Sequence, residues 1–125
     1  MGVGVSSLQE QLFADTARLR RAISALVLTQ ERAVERLVAA LDEQQAELDR
    51  HVLRIALLRD RFGDGNVETT NAMRDAEDAS KPVTETRMAL ERQRQILEIY
   101  RVKWREVQSL PGSESERLTL ADFTA

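Results

Sequence analysis

The chain contains no cysteine. A disulfide framework, a thiolate zinc site and a cysteine nucleophile are therefore excluded. It has a single histidine, His51. Glu47 lies four residues earlier and would share a helix face with it, but a metal site needs further ligands and no second His or Cys supplies them. Long apolar runs are missing too. Runs such as Ala25-Leu26-Val27-Leu28 fall far short of the ~20 residues that cross a bilayer. No basic-then-apolar leader opens the sequence, and cytosol is the default expectation. Nor is there an excess of positive charge: 18 Lys and Arg interleave with 21 Asp and Glu, for a net charge of −3. The basic field that gathers nucleic-acid phosphates is absent, so no nucleic-acid partner is expected.

What is present is helix-forming. The 125 residues are 42% apolar and 31% charged, too apolar for disorder and the size of one domain. Neither Gly nor Pro occurs between Ser7 and Phe62. Ser6 or Ser7 can cap the start, and Glu10 completes a capping box from Ser7. Apolar residues then recur at helical spacing: Leu8, Leu12, Leu19, Ile23 and Leu26, then Val34, Leu41, Leu48, Ile55 and Phe62 on a seven-residue beat. The eight-residue step from Leu26 to Val34 predicts one slip of the stripe. A helix over 7–62 would be roughly 80 Å long at about 1.5 Å per residue. Residues 1–6 read as a flexible start. They also fit the short N-myristoylation pattern, with Gly2 after Met1 and Ser6 beyond it.

Gly63, Asp64, Gly65 and Asn66 form a turn signal. The glycines are expected to supply positive φ, and Asp64 or Asn66 to cap the next helix. A second helix is predicted over 67–109. Pro82 should kink or restart it, because proline lacks an N–H and clashes with the preceding turn. Beyond Pro82 the beat is clean: Val83, Leu90, Leu97 and Trp104. Leu110-Pro111-Gly112-Ser113 is a second break, and a short third helix is predicted over 114–123, carrying Leu118, Leu120, Ala121 and Phe123. No run alternates with period two. The expected fold is all-α: a single domain built as an elongated antiparallel three-helix bundle, two long helices in a hairpin plus a short third.

Catalytic chemistry finds no foothold, and the chain is not expected to be an enzyme or to carry a cofactor. Asp60 and Asp64 lack the spacing of a calcium loop. Gly63-Asp64-Gly65 lacks the lysine or third glycine of a phosphate-binding loop. Carboxylates on solvent-facing helices have nothing to raise their pKa for acid–base work. One pattern points to binding. Arg87, Glu91, Arg94, Glu98, Arg101 and Arg105 are spaced by fours and threes, so they share one helix face. They form either a self-paired, solvated face or a docking strip whose guanidinium forks grip partner carboxylates. Tyr100 and Trp104 continue the apolar seam.

The order of long helix, Asp-Gly-Asn turn, proline-containing helix and short third helix resembles tubulin-binding cofactor A, the tubulin-specific chaperone A family. Val34-Glu35-Arg36-Leu37-Val38 looks like the "VKRLVK" segment of that family's first helix. Asp64-Gly65-Asn66 falls at its acidic turn, and the fifteen residues from Val67 to Pro82 match its spacing from second-helix start to proline. Arg87-Met88-Ala89-Leu90 and Gln95-Ile96-Leu97 are in keeping with that family's second helix beyond the proline. The family's "YDIKKQ" reads Val67-Glu68-Thr69-Thr70-Asn71 here, and its apolar pair before the proline reads Ser80-Lys81. The resemblance covers about Leu28 to Tyr100. It implies a cytoplasmic, cytoskeleton-associated chaperone that captures β-tubulin after chaperonin release, on polar helix faces and without nucleotide, as a stable monomer or weak homodimer. A second resemblance, at Tyr100-Arg101-Val102, is to a small intraflagellar-transport coiled-coil subunit. It implies a scaffold whose open seam is completed by a partner helix.

Overall fold

The computed structural model describes residues 2–110. Among them are two helices and no strand: α1, Gly2–Phe62, and α2, Val67–Gln108. The expected third helix at 114–123 lies outside the described residues. α1 begins at Gly2, ahead of the start expected at Ser6 or Ser7. Gly2 and Gly4 weaken a helix but do not end one, so the backbone ladder runs on past the predicted cap and residues 2–6 are helical. Two compact units divide the chain. One joins α1 up to Ala33 with α2 from Gln93; the other is Val34–Arg92.

The Val34–Arg92 unit is a helical hairpin closed by the turn. Gly63, at φ 77°, donates its N–H to the Arg59 carbonyl at 2.9 Å and ends α1 as its C′ residue. Gly65 is not in the left-handed region, so only one glycine supplies the positive φ expected of both. Asn66 is the cap of α2: its Oδ1 accepts the Glu68 N–H at 2.8 Å. Asp64 instead pairs with Arg59 Nε at 2.7 Å. Thr69 Oγ1 donates to the Gly63 carbonyl at 3.0 Å and lashes the first turn of α2 to the end of α1.

The α2 side of this hairpin buries Thr69, Ala72, Ala76, Val83 and Leu90, mostly small side chains. They let the backbones approach closely, and the longer Val34, Leu41, Leu48 and Ile55 of α1 lie half-buried over them. α1 has no fully buried residue here. Pro82 faces solvent beside buried Val83, and α2 runs through it without restarting. The carbonyl left without a donor, that of Asp78, is on the wet side, where water can serve it. Ser80 Oγ bonds the Glu77 carbonyl at 2.6 Å and Thr84 Oγ1 the Ser80 carbonyl at 3.3 Å around it.

The other unit has a polar seam. α1 buries Thr16, Ala17, Arg20, Ser24 and Val27 against Leu97 and Val107 of α2. Trp104 Nε1 donates to Ser24 Oγ at 2.9 Å. Arg20, 2% exposed, donates from Nε to the Val107 carbonyl at 3.2 Å and from Nη2 to the Leu110 carbonyl at 2.8 Å. A cation from α1 thus caps the last turn of α2, where carbonyls lack helical donors and the helix dipole is negative. Gln30 Nε2 donates to the Gln93 carbonyl at 2.9 Å.

This overturns the expected stripe. Leu8, Leu12, Leu19 and Leu26 are all exposed. The seam runs through Arg20 and Val27 and keeps its seven-residue beat to Val34, so α1 has no slip. Apolarity pointed to the wrong face because the face of α2 met here ends in open carbonyls and an indole N–H. Both need polar partners.

Candidate interaction face

The arginine-rich pattern lies on α2 and falls into both units. In the Val34–Arg92 unit, exposed Arg87 donates from Nη2 to Gln45 Oε1 at 2.9 Å. Glu91 is exposed and engaged in an interaction of its own. In the other unit, Arg101 reaches across to Glu31 at 3.6 Å. Arg105 pairs with Glu98 at 3.3 Å. Arg94 is exposed and makes no ion pair or hydrogen bond among the described residues. Pairing within the face accounts for Arg105 and Glu98, contacts with α1 account for Arg87 and Arg101, and Arg94 is left with its five donors open to solvent.

The Arg105–Glu98 pair is exposed and worth little, about 0–1 kcal/mol, whereas Arg101 and Glu31 are half-buried. An exposed pair holds side chains in place more than it holds the fold. A partner carboxylate could replace the weak Arg105–Glu98 contact at small cost. The pattern as read from spacing missed two arginines. Arg21 and Arg32, on α1 in the same unit as Arg94, are exposed and carry no partner among the described residues. The signal that could have found them is the seam itself: once Arg20, Ser24 and Val27 face α2, Arg21 and Arg32 turn outward.

The remaining candidates are structural. His51 Nε2 sits 3.2 Å from Glu47 Oε1 on half-buried helix surface. Arg50, bonded to the same carboxylate, holds Glu47 below the usual carboxylate range. Tyr100 and Trp104 are half-buried in the seam. A shallow depression at the hairpin turn is lined by Arg59, Asp64, Thr70, Met73, Arg74 and Glu77, and one of its two acids, Asp64, is already taken by Arg59. Gly63, Gly65, Asn66 and Pro82 shape the turn and helix, with no chemistry of their own. Among the described residues no group of acids and His is placed to hold a metal ion, and no helix is long and apolar enough to cross a membrane. Comparison with family models, with curated proteins and with solved structures found no match for this chain.

Proposed function

We propose that this chain is a non-catalytic tubulin-folding cofactor, which captures β-tubulin after chaperonin release and holds it on exposed helix faces. The observation that carries the reading is Arg94, a solvated arginine on a long helix face with no partner of its own. Arg21 and Arg32 of the same unit add to it. Guanidinium forks suit the carboxylates of an acidic partner. The layout of helix, turn and proline-containing helix, with its resemblance to tubulin-binding cofactor A, supplies the identity of that partner. In this reading the protein works in the cytoplasm with the cytoskeleton, without cofactor, as a monomer or weak homodimer. The short third helix belongs to it as well.

The test is size exclusion with light scattering on a mixture with chaperonin-released β-tubulin. A 1:1 complex is expected, and Arg94→Glu should weaken it about tenfold, with a steeper loss at low salt. A well-folded chain that forms no complex would remove the tubulin reading.

One observation favours a second reading, a coiled-coil scaffold subunit. In Val34–Arg92, α1 buries no residue fully, and Leu53 and Leu57 are more than half exposed. Such a surface suits a partner helix that completes the seam. That reading expects self-association or weak helicity of the isolated chain.

A further inference from the structure

α1 carries a second repeat that α2 does not use. Leu12, Leu19 and Leu26 follow one another at seven residues, and Leu8 lies four before the first. At about 100° per residue these four fall within roughly 40° of one another, about a quarter turn from the line of Thr16, Arg20, Ser24 and Val27 that is buried against α2. Leu8 is 70% exposed, Leu12 56%, Leu19 45% and Leu26 46%. The same geometry sets half-buried Ile23 beside the stripe, and half-buried Ile96 and Tyr100 on the neighbouring edge of α2. The Glu31–Arg101 pair marks the opposite flank. A seven-residue leucine repeat left in water is one side of a coiled-coil seam.

Three observations make a second copy of the chain the other side. The first is area. The four leucines expose on the order of 400 Å² per copy, and with Ile23, Ile96 and Tyr100 two copies would bury roughly 1,000 Å², where specific interfaces begin. The second is spacing. The stripe is its own complement under a two-fold axis through Leu19: Leu19 meets its counterpart, and Leu12 meets Leu26 of the other copy. Asp15 then falls opposite Ala22, whose small side chain leaves it room. The third is charge. A second copy brings the same charges, so a rim of one sign would repel it. Here Asp15 is bonded to Arg18, and Lys103 to Glu106 at 3.1 Å, so each base on the rim has its acid.

We propose that the chain forms a two-fold homodimer through this face, with α1 antiparallel to α1 of the other copy and four helices enclosing Leu19, Ile23, Leu26, Ile96 and Tyr100. The antiparallel sense follows from the groove. It sets the α2 edges of both copies side by side, whereas a parallel pair would put them on opposite sides and leave both in water. Arg21, Arg32 and Arg94 lie away from this face and stay open to solvent. The dimer therefore needs no third protein, and the inference stands apart from the tubulin reading.

The test uses the full chain alone, in sedimentation equilibrium. A dimer mass is expected at about 100 µM chain, and a monomer mass there overturns the proposal. Leu19→Glu sets two carboxylates at the axis and should weaken the dimer at least about 100-fold. Its circular dichroism should match that of the parent protein, since Leu19 lies outside the buried seam. Leu53→Glu, on the exposed face of the Val34–Arg92 unit, should leave the dimer intact. Loss of the dimer with Leu53→Glu but not with Leu19→Glu overturns the proposal. The absence of cysteine gives a second measurement that needs no disruptive variant. Leu12→Cys and Leu26→Cys chains are made separately, mixed and mildly oxidised. The unlike pair should cross-link at least about tenfold more than either like pair. Like pairs in excess overturn the antiparallel dimer.

Discussion

The two units are built from the same two helices by different means. Around the turn, close approach does the work: Ala72, Ala76, Val83 and Leu90 are buried, and the polar contacts between the helices, such as Arg87 to Gln45 and Arg54 to Asp75, lie on the exposed surface rather than in the seam. In the other unit, three of the five buried α1 positions are Thr16, Arg20 and Ser24, and hydrogen bonds cross to Trp104, Val107 and Leu110. The difference shows that an antiparallel helix pair can keep one seven-residue beat while changing what the beat is made of. Packing tolerates volume-conserving exchange, whereas a polar seam depends on each donor meeting its acceptor.

That contrast can be broken from either side. The largest effect is expected from Leu90→Ala, which removes a buried side chain and should cost about 2–5 kcal/mol in chemical denaturation. Next comes Arg20→Met, which keeps the length of the side chain and removes its donors. A loss of about 1–3 kcal/mol is expected, together with faster amide exchange confined to the last turn of α2. Unchanged exchange there would show that Arg20 fills space without capping. Trp104→Phe and Ser24→Ala should each cost on the order of 1 kcal/mol beyond any loss of volume. Their double-mutant cycle should return a coupling of at least about 0.5 kcal/mol if the indole bond stabilises the seam. The last comparison separates the two glycines of the turn, and one of them carries the smallest effect of all. Gly63→Ala forces an L side chain into φ 77° and should cost about 1–2 kcal/mol. Gly65→Ala meets nothing within 4 Å and needs no left-handed backbone, so its melting temperature should match that of the parent protein.

Much of the hairpin was legible because its signals are local. Gly63 as a C′ residue, the break at Asp64–Asn66 and the α2 beat of Val83, Leu90 and Leu97 come from backbone sterics and a 3.6-residue turn. Pro82 was legible as a disturbance but not as an exposed one, since its consequence depends on which side of the helix meets water. The seam near the start of α1 was misread for a different reason. Leu19 and Leu26 look like core, and Arg20 and Ser24 look like surface. What reverses them is the end of another helix 87 residues away in sequence, whose carbonyls require a donor. The candidate face was legible as spacing. Its partition into paired Arg101 and Arg105 and unpaired Arg94 was not, because pairing with Glu31 depends on how α1 and α2 meet.

The separation between Arg20 and Val107 also sets an order in time. Thr69 reaches Gly63 across six residues, a loop that closes readily, whereas the guanidinium clasp spans 87. Loop-closure entropy and contact order place the turn early in folding and the clasp late. During synthesis the contrast is sharper. Residues up to Ala33 leave the ribosome well before the stretch from Gln93 that completes their unit. Until then the face bearing Ala17, Arg20, Ser24 and Val27 waits without its mate, and the growing chain has the most to gain from a chaperone.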